Sequence, residues 1–357
     1  MRLMFTIALL LFTSLEACTG VLLRPKDGSH VHGRTVEFGV FLDTSVVVVP
    51  RGTSFVGKTP IGDGLSYQSK YASVGIMTFD DLNILDGMNE KGLSVGAFYF
   101  PDFSSYAAVT AKDQHKGLSP IDFSNWILTQ FSSVDEVRKA IEEDQVIVTP
   151  TVLENWGSEP PPFHYIVYDK SGKSLVIEPI AGELVLYDNP LGVITNAPPF
   201  DWHLTNLRNY IGLHARNVEP RSVGQYTIYP LGQGSGLIGL PGDFTPPSRF
   251  VRAAIFSMSA LPETTAEKGI FQTFHILNNF DIPIGVAREE TPKGLTTDYT
   301  MLTVARDPQS LRYYFRTHED QTIRMVDLKT FDFSGKQVKK MATKHSQPVV
   351  DVTRQLQ

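Results

Sequence analysis

The sequence is short of cysteine, of long apolar runs and of clustered positive charge. One cysteine, Cys18, stands in 357 residues, so no disulfide can form within the chain and stability must come from a packed core. After the opening segment no stretch approaches the roughly 20 consecutive apolar residues that a membrane-spanning helix needs, and no membrane span is expected. The net charge of -6 gives no reason to expect nucleic acid as a partner, because phosphate binding needs a concentrated basic footprint. What is plentiful fits a globular fold: 42% hydrophobic and 11% aromatic residues supply a core.

The opening reads as an export signal. A basic start at Arg2, an apolar run over 3–12 and the segment Thr13-Ser14-Leu15-Glu16-Ala17 end on a small residue. Residues 1–17 are therefore expected to be removed, and the mature protein to be exported to the periplasm or secreted. From Thr19 to about Leu328 no linker and no internal repeat interrupts the chain, which predicts one domain over 18–333. After Phe333 the sequence turns polar and basic ("GKQVKKMATKHSQ"), and 334–357 reads as a mobile tail.

Short β-rich runs dominate the domain, at 20–23, 35–49, 92–100, 164–168, 174–178, 183–187 and 192–196, then at 225–229, 299–305, 311–315 and 322–326. Helical spacing marks 120–131, 134–141, 248–259 and 264–278. Ser133 with Glu136 three residues on forms a capping-box pattern before the second of these. Groups of strands with a few helices between them predict a layered α/β or α+β domain, and pattern alone does not choose its topology.

The lone cysteine has three readings. It is a small buried apolar residue, although a position beside a new chain end disfavours burial. It is a lipoprotein anchor, since Leu15-Glu16-Ala17-Cys18 partly matches a lipobox, with the charged Glu16 fitting poorly. Such an anchored protein would bind amphipathic ligands without catalysis. Or it is an N-terminal nucleophile: cleavage after Ala17 gives Cys18 both a thiol and a free α-amine, whose ordinary pKa of about 7.7 to 8.0 suits a general base.

Several blocks bear on this choice. "CTGVLL", "HGRTVEFG", "DGMNEKGLSVGAFYF", "GVITNAPPFDWHLTNLRNY" and "GLPGDFTPPSRFVRA" occur in an order that resembles the choloylglycine hydrolase family, which includes bile salt hydrolases and penicillin V acylases. The likeness runs from Cys18 to about Val326. It implies an α+β fold, the four-layer αββα sandwich of N-terminal nucleophile hydrolases, and hydrolysis of a linear amide without metal or organic cofactor. Relatives in this family are often homotetramers, with 209–240 roughly matching the region of inter-subunit contact, so a homotetramer is expected.

Carried over block by block, the resemblance makes Cys18 the nucleophile and Arg34 and Arg249 the active-site arginines. Asn196 becomes the side-chain donor of the oxyanion hole and Tyr99 the backbone donor. Glu37 stands where the best-known members have aspartate, and its carboxylate is expected to bond the α-amine of Cys18 if the backbone or a water adjusts. Guanidinium groups beside the sulfur are expected to lower its pKa, and two N–H donors to stabilise the tetrahedral oxyanion. Within the family tyrosine at the Tyr99 position is commoner in penicillin V acylases than in bile salt hydrolases. Phe38, Phe98, Tyr99 and Trp202 are candidate walls of an apolar acyl pocket that suits a bile acid, phenoxyacetyl or fatty acyl group, the last as in N-acyl homoserine lactones.

Other signals carry less. Gly234 to Gly239 fits G-x-G-x-x-G, but Pro241 and then Pro246-Pro247 follow where a dinucleotide site needs a helix. His30 and His32 lack a third metal ligand nearby and read as a polar strand end. The acid pairs Asp80-Asp81 and Glu289-Glu290 read as solvated.

Overall fold

The structure, a computed structural model, describes residues 17–39, 42–79, 82–153, 156–291 and 294–356. The expected export signal, apart from Ala17, lies outside the described residues, as does the pair Asp80-Asp81. Two antiparallel sheets face each other. The first runs Gly20–Leu23, Val31–Phe38, Gly294–Asp307, Arg312–Thr317, Arg324–Asp327, with Ala287–Thr291 also paired to the long strand. The second runs Glu183–Asp188, Ser174–Ile180, Phe163–Tyr168, Ser94–Tyr99, Asn83–Asn89, Ser73–Thr78, Thr44–Val49, Lys339–Ala342.

Helices cover both outer faces. α1 (Pro120–Gln130) packs on the strands Asn83–Asn89 and Ser94–Tyr99, and α2 (Val134–Glu142) buries Val134, Val137, Ala140 and Ile141 in the same core. Past α3 (Phe200–Leu207), α4 (Pro246–Ser259) and α5 (Ala266–Leu277) lie on the first sheet. The layers are thus the expected αββα. Local chemistry sets the helix starts: Ser119 and Asp122 cap α1 reciprocally, Ser133 caps α2 and Thr265 caps α5, each satisfying amide donors left open in a first turn.

The strand Val31–Phe38 positions the site through its period of two. On the inner side His32 stacks on Tyr168 at 4.4 Å and the Arg34 guanidinium lies 3.8 Å from the centroid of Phe98, both partners belonging to the second sheet. On the helix side Gly33 admits α5: a Cβ there would stand 2.3 Å from Thr273 Cγ2, so any larger residue would push the helix off the strand that carries Arg34.

Several expectations change. The run 35–49 is two strands in different sheets, because the chain crosses between layers after Phe38. The segment 192–196 contributes a single bridge, Gly20 to Ile194, rather than a strand. The hairpins within 54–68 and 73–89 carry too many polar and glycine positions to show an apolar alternation. Part of the expected mobile tail is an edge strand: Lys339–Ala342 pairs with Thr44–Val49, and Thr343 N bonds Thr44 O at 3.1 Å. His32 is a buried, stacked residue rather than a polar strand end. Gly234 to Gly239 holds only the short turn Ser235–Leu237. Among the described residues no group of His, Cys, Asp and Glu could hold a metal, and no helix is long and apolar enough to cross a membrane.

Candidate active site

Cys18 stands two residues before the first strand, where three segments converge. Thr35 N donates to Thr19 O at 2.9 Å and Thr19 N donates to Thr35 Oγ1 at 3.2 Å, tying this end to the Arg34 strand. On the other side Gly20 N donates to Ile194 O at 2.8 Å and Ile194 N returns a bond to Gly20 O at 3.1 Å. That bridge brings Asn196 alongside, and Cys18 N donates to Asn196 Oδ1 at 2.7 Å. Cys18 is 4% exposed.

Arg249 closes the arrangement from the first turn of α4. Its Nη1 donates to Cys18 O at 2.5 Å and to Thr19 Oγ1 at 2.9 Å, while Nη2 donates to Asn196 Oδ1 at 2.7 Å. Nε is held by Phe244 O at 2.8 Å. The Asn196 amide therefore has one orientation: Oδ1 faces two donors and Nδ2 donates to Tyr99 O at 2.8 Å. Phe100 N donates to Pro162 O, so the amide of Tyr99, one residue back, points to the opposite edge of its strand.

Arg34 approaches from between the sheets, with Nη1 donating to Ala97 O at 2.6 Å and Nε to Thr35 O at 3.1 Å. Glu37 occupies the helix side. Its carboxylate accepts from Thr35 Oγ1 at 3.0 Å and from Thr300 Oγ1 at 2.8 Å. With Ala17 still attached, the Cys18 nitrogen is an amide whose single hydrogen goes to Asn196. The two hydroxyls lie on the same face of the sheet as Glu37, and they engage its oxygens. What Glu37 offers Cys18 is its backbone carbonyl, 4.0 Å from Sγ.

Burial dominates the electrostatics. Desolvation pushes the Cys18 thiol up; Arg34 and Arg249 pull it down and Glu37 adds to the rise. The expected pull of the guanidiniums is present, and burial outweighs it. Desolvation also raises Glu37 to about 8 against the pull of Arg249, its two threonines and Arg34, and brings Arg249 down to about 10. A second acid that the sequence did not single out, Asp298, is raised by burial to about 7 while Arg249 pulls it down.

The aromatic candidates separate. Phe38 stands edge-on to Tyr99 at 6.1 Å and to Trp156 at 6.0 Å, forming a half-buried aromatic wall with Tyr99 and Trp156. Phe98, expected as a pocket wall, is 1% exposed and lies under Arg34, so its ring supports the guanidinium rather than facing a ligand. Trp202, also expected there, is 44% exposed on α3, beside His203. Sequence reasoning passed over Trp156, which follows a loop with no motif.

Comparison with known proteins fits this geometry. Residues 18–341 match the model of the linear amide C-N hydrolases, choloylglycine hydrolase family. The chain is 36% identical over 327 residues to a bile salt hydrolase/transferase of Clostridium perfringens, covering 90% of this chain and 95% of that protein. It is 27% identical over 340 residues to a penicillin V acylase of Pectobacterium atrosepticum, covering 89% of this chain and 82% of that one. The crystal structure of a variant conjugated bile acid hydrolase from Clostridium perfringens superposes with a TM-score of 0.82 at 32% identity, covering 94% of this chain and all of that one.

Proposed function

We propose a Cys18-centred hydrolysis of N-acyl amides for this chain, which belongs to the choloylglycine hydrolase family of linear amide C-N hydrolases. The observation that carries the reading is the single network joining Cys18 N, Asn196, Arg249 and Tyr99.

In the proposed cycle, export and removal of residues 1–17 free the α-amine of Cys18. Sγ attacks the amide carbon while that amine, directly or through a water, takes the thiol proton and later delivers a proton to the leaving amine. An acyl-thioester forms, the C–N bond breaks, and water then releases the acid and restores the thiol. The Asn196 Nδ2 has two hydrogens; one goes to Tyr99 O, and the second serves the oxyanion together with the Tyr99 amide. Arg34 and Arg249 offset part of the cost of a buried thiolate.

The substrate we infer is a linear amide with a bulky apolar acyl group. Identity to bile salt hydrolases over nearly the whole chain favours a conjugated bile salt. A second reading, a phenoxyacetyl amide of the penicillin V type, is favoured by Tyr99 within its aromatic wall with Phe38. Glycocholate, taurocholate, penicillin V and N-acyl homoserine lactones assayed side by side test the choice. Loss of all turnover in a folded Cys18→Ala variant is expected, and turnover that survives it would sink the mechanism.

A further inference from the structure

We propose that the buried pair Glu178 and His164 is a positioning device for Asn196; this rests on the oxyanion role given to Asn196 above. The register that pairs Tyr165 with Ile177 sets His164 opposite Glu178 on neighbouring strands of the second sheet, and both are buried, at 1% and 0% exposure. A carboxylate and an imidazole are costly to desolvate, and apolar residues of similar size would fill this place without that cost. What the polar pair does is grip two backbone groups on either side of Asn196.

His164 Nε2 lies 2.9 Å from Thr195 O, the carbonyl immediately before Asn196. A carbonyl only accepts, so this nitrogen carries the hydrogen. The other ring nitrogen, Nδ1, lies 3.1 Å from Glu178 Oε1. Beyond Asn196, Phe200 N donates to both carboxylate oxygens of Glu178, at 3.0 and 3.2 Å. Glu178 thus supplies from the sheet the cap that Pro199 cannot supply to α3. Between the two grips, Asn196 O is held by His203 Nε2 at 2.9 Å.

The same device references Asn196 to Tyr99. The strand that carries His164 pairs directly with the strand that carries Tyr99, with Phe163 opposite Tyr99, and the imidazole stacks on Phe100 at 4.4 Å and 3°. The spacing of the two proposed oxyanion donors is therefore fixed through one strand pair and one imidazole. Misplacement of such donors by about 1 Å is enough to cost up to about a hundred-fold in rate.

The test is a double-mutant cycle read as kcat and KM separately, with circular dichroism and thermal melting to verify folding. Glu178→Gln, which keeps an acceptor for Phe200 N, is expected to hold most of kcat, whereas Glu178→Leu, which leaves Phe200 N and His164 Nδ1 without this partner, is expected to lower kcat about ten-fold or more with KM nearly unchanged. In an Asn196→Ala background Glu178→Leu is expected to cost little further, because the residue that Glu178 positions is gone. An equal loss in both backgrounds, or wild-type kcat in Glu178→Leu, would overturn the inference while leaving the oxyanion reading intact. Wild-type kcat in Asn196→Ala alone would overturn that reading, and the inference with it. Should Glu178→Leu fail to fold, His164→Gln, which can still donate to Thr195 O, is expected to retain more kcat than His164→Leu; equal values would contradict the proposal.

Discussion

Arg249 reaches across the site to Asn196, donating from Nη2 to Oδ1 at 2.7 Å while its Nη1 holds Cys18 O. One planar fork thus fixes both the proposed nucleophile's backbone and the amide proposed to face the oxyanion. Lysine would keep the charge and lose the fork. Arg249→Lys is expected to lower kcat/KM about thirty-fold, the equivalent of about 2 kcal/mol for a hydrogen bond to a charged group. Steady-state kinetics on the preferred amide measure this, and a change under about three-fold would mean that charge alone suffices.

Glu37 ties stability to pH. Burial raises its carboxyl from 4.5 to about 8, so between those values the folded chain holds a proton that the unfolded chain has released. The contribution is fully present below the unfolded pKa and is lost as pH rises through the folded one. Urea unfolding at pH 5 and pH 8 should show the wild type losing more stability across this interval than Glu37→Gln. Parallel losses in the two proteins would contradict the assignment.

The segment 209–240 presents apolar side chains to solvent, with Ile211 89% and Leu231 97% exposed. Exposed apolar residues gathered together are a signature of interaction surfaces, and we propose this segment as the subunit contact of an oligomer. Light scattering at working concentration is predicted to give an oligomer, and Ile211→Asp with Leu231→Asp to dissociate it. A wild-type monomer would refute the assembly.

Much of the site was legible because its residues sit inside local motifs. Cys18, Arg34, Asn196 and Arg249 each lie in a short block whose order along the chain is informative, and the structure brings all four together. What was not legible depends on register and burial. Glu178 and His164 become partners only when two strands pair at one register, and Asp298 meets the field of Arg249 only after α4 packs on the first sheet. The pull of the arginines on Cys18 is visible in sequence, but the desolvation that outweighs it is not. The polar strand Lys339–Ala342 reads as tail because an edge strand facing water needs no apolar alternation.

The most direct test is the intact mass of the exported protein, quenched while turning over glycocholate, taurocholate, penicillin V or an N-acyl homoserine lactone. The expected result is a chain that begins at Cys18 with a free amine and, for the amide being hydrolysed, carries one added acyl group that maps to that residue. Lipid on Cys18, residues retained before it, or turnover with no acyl group on its sulfur would contradict it.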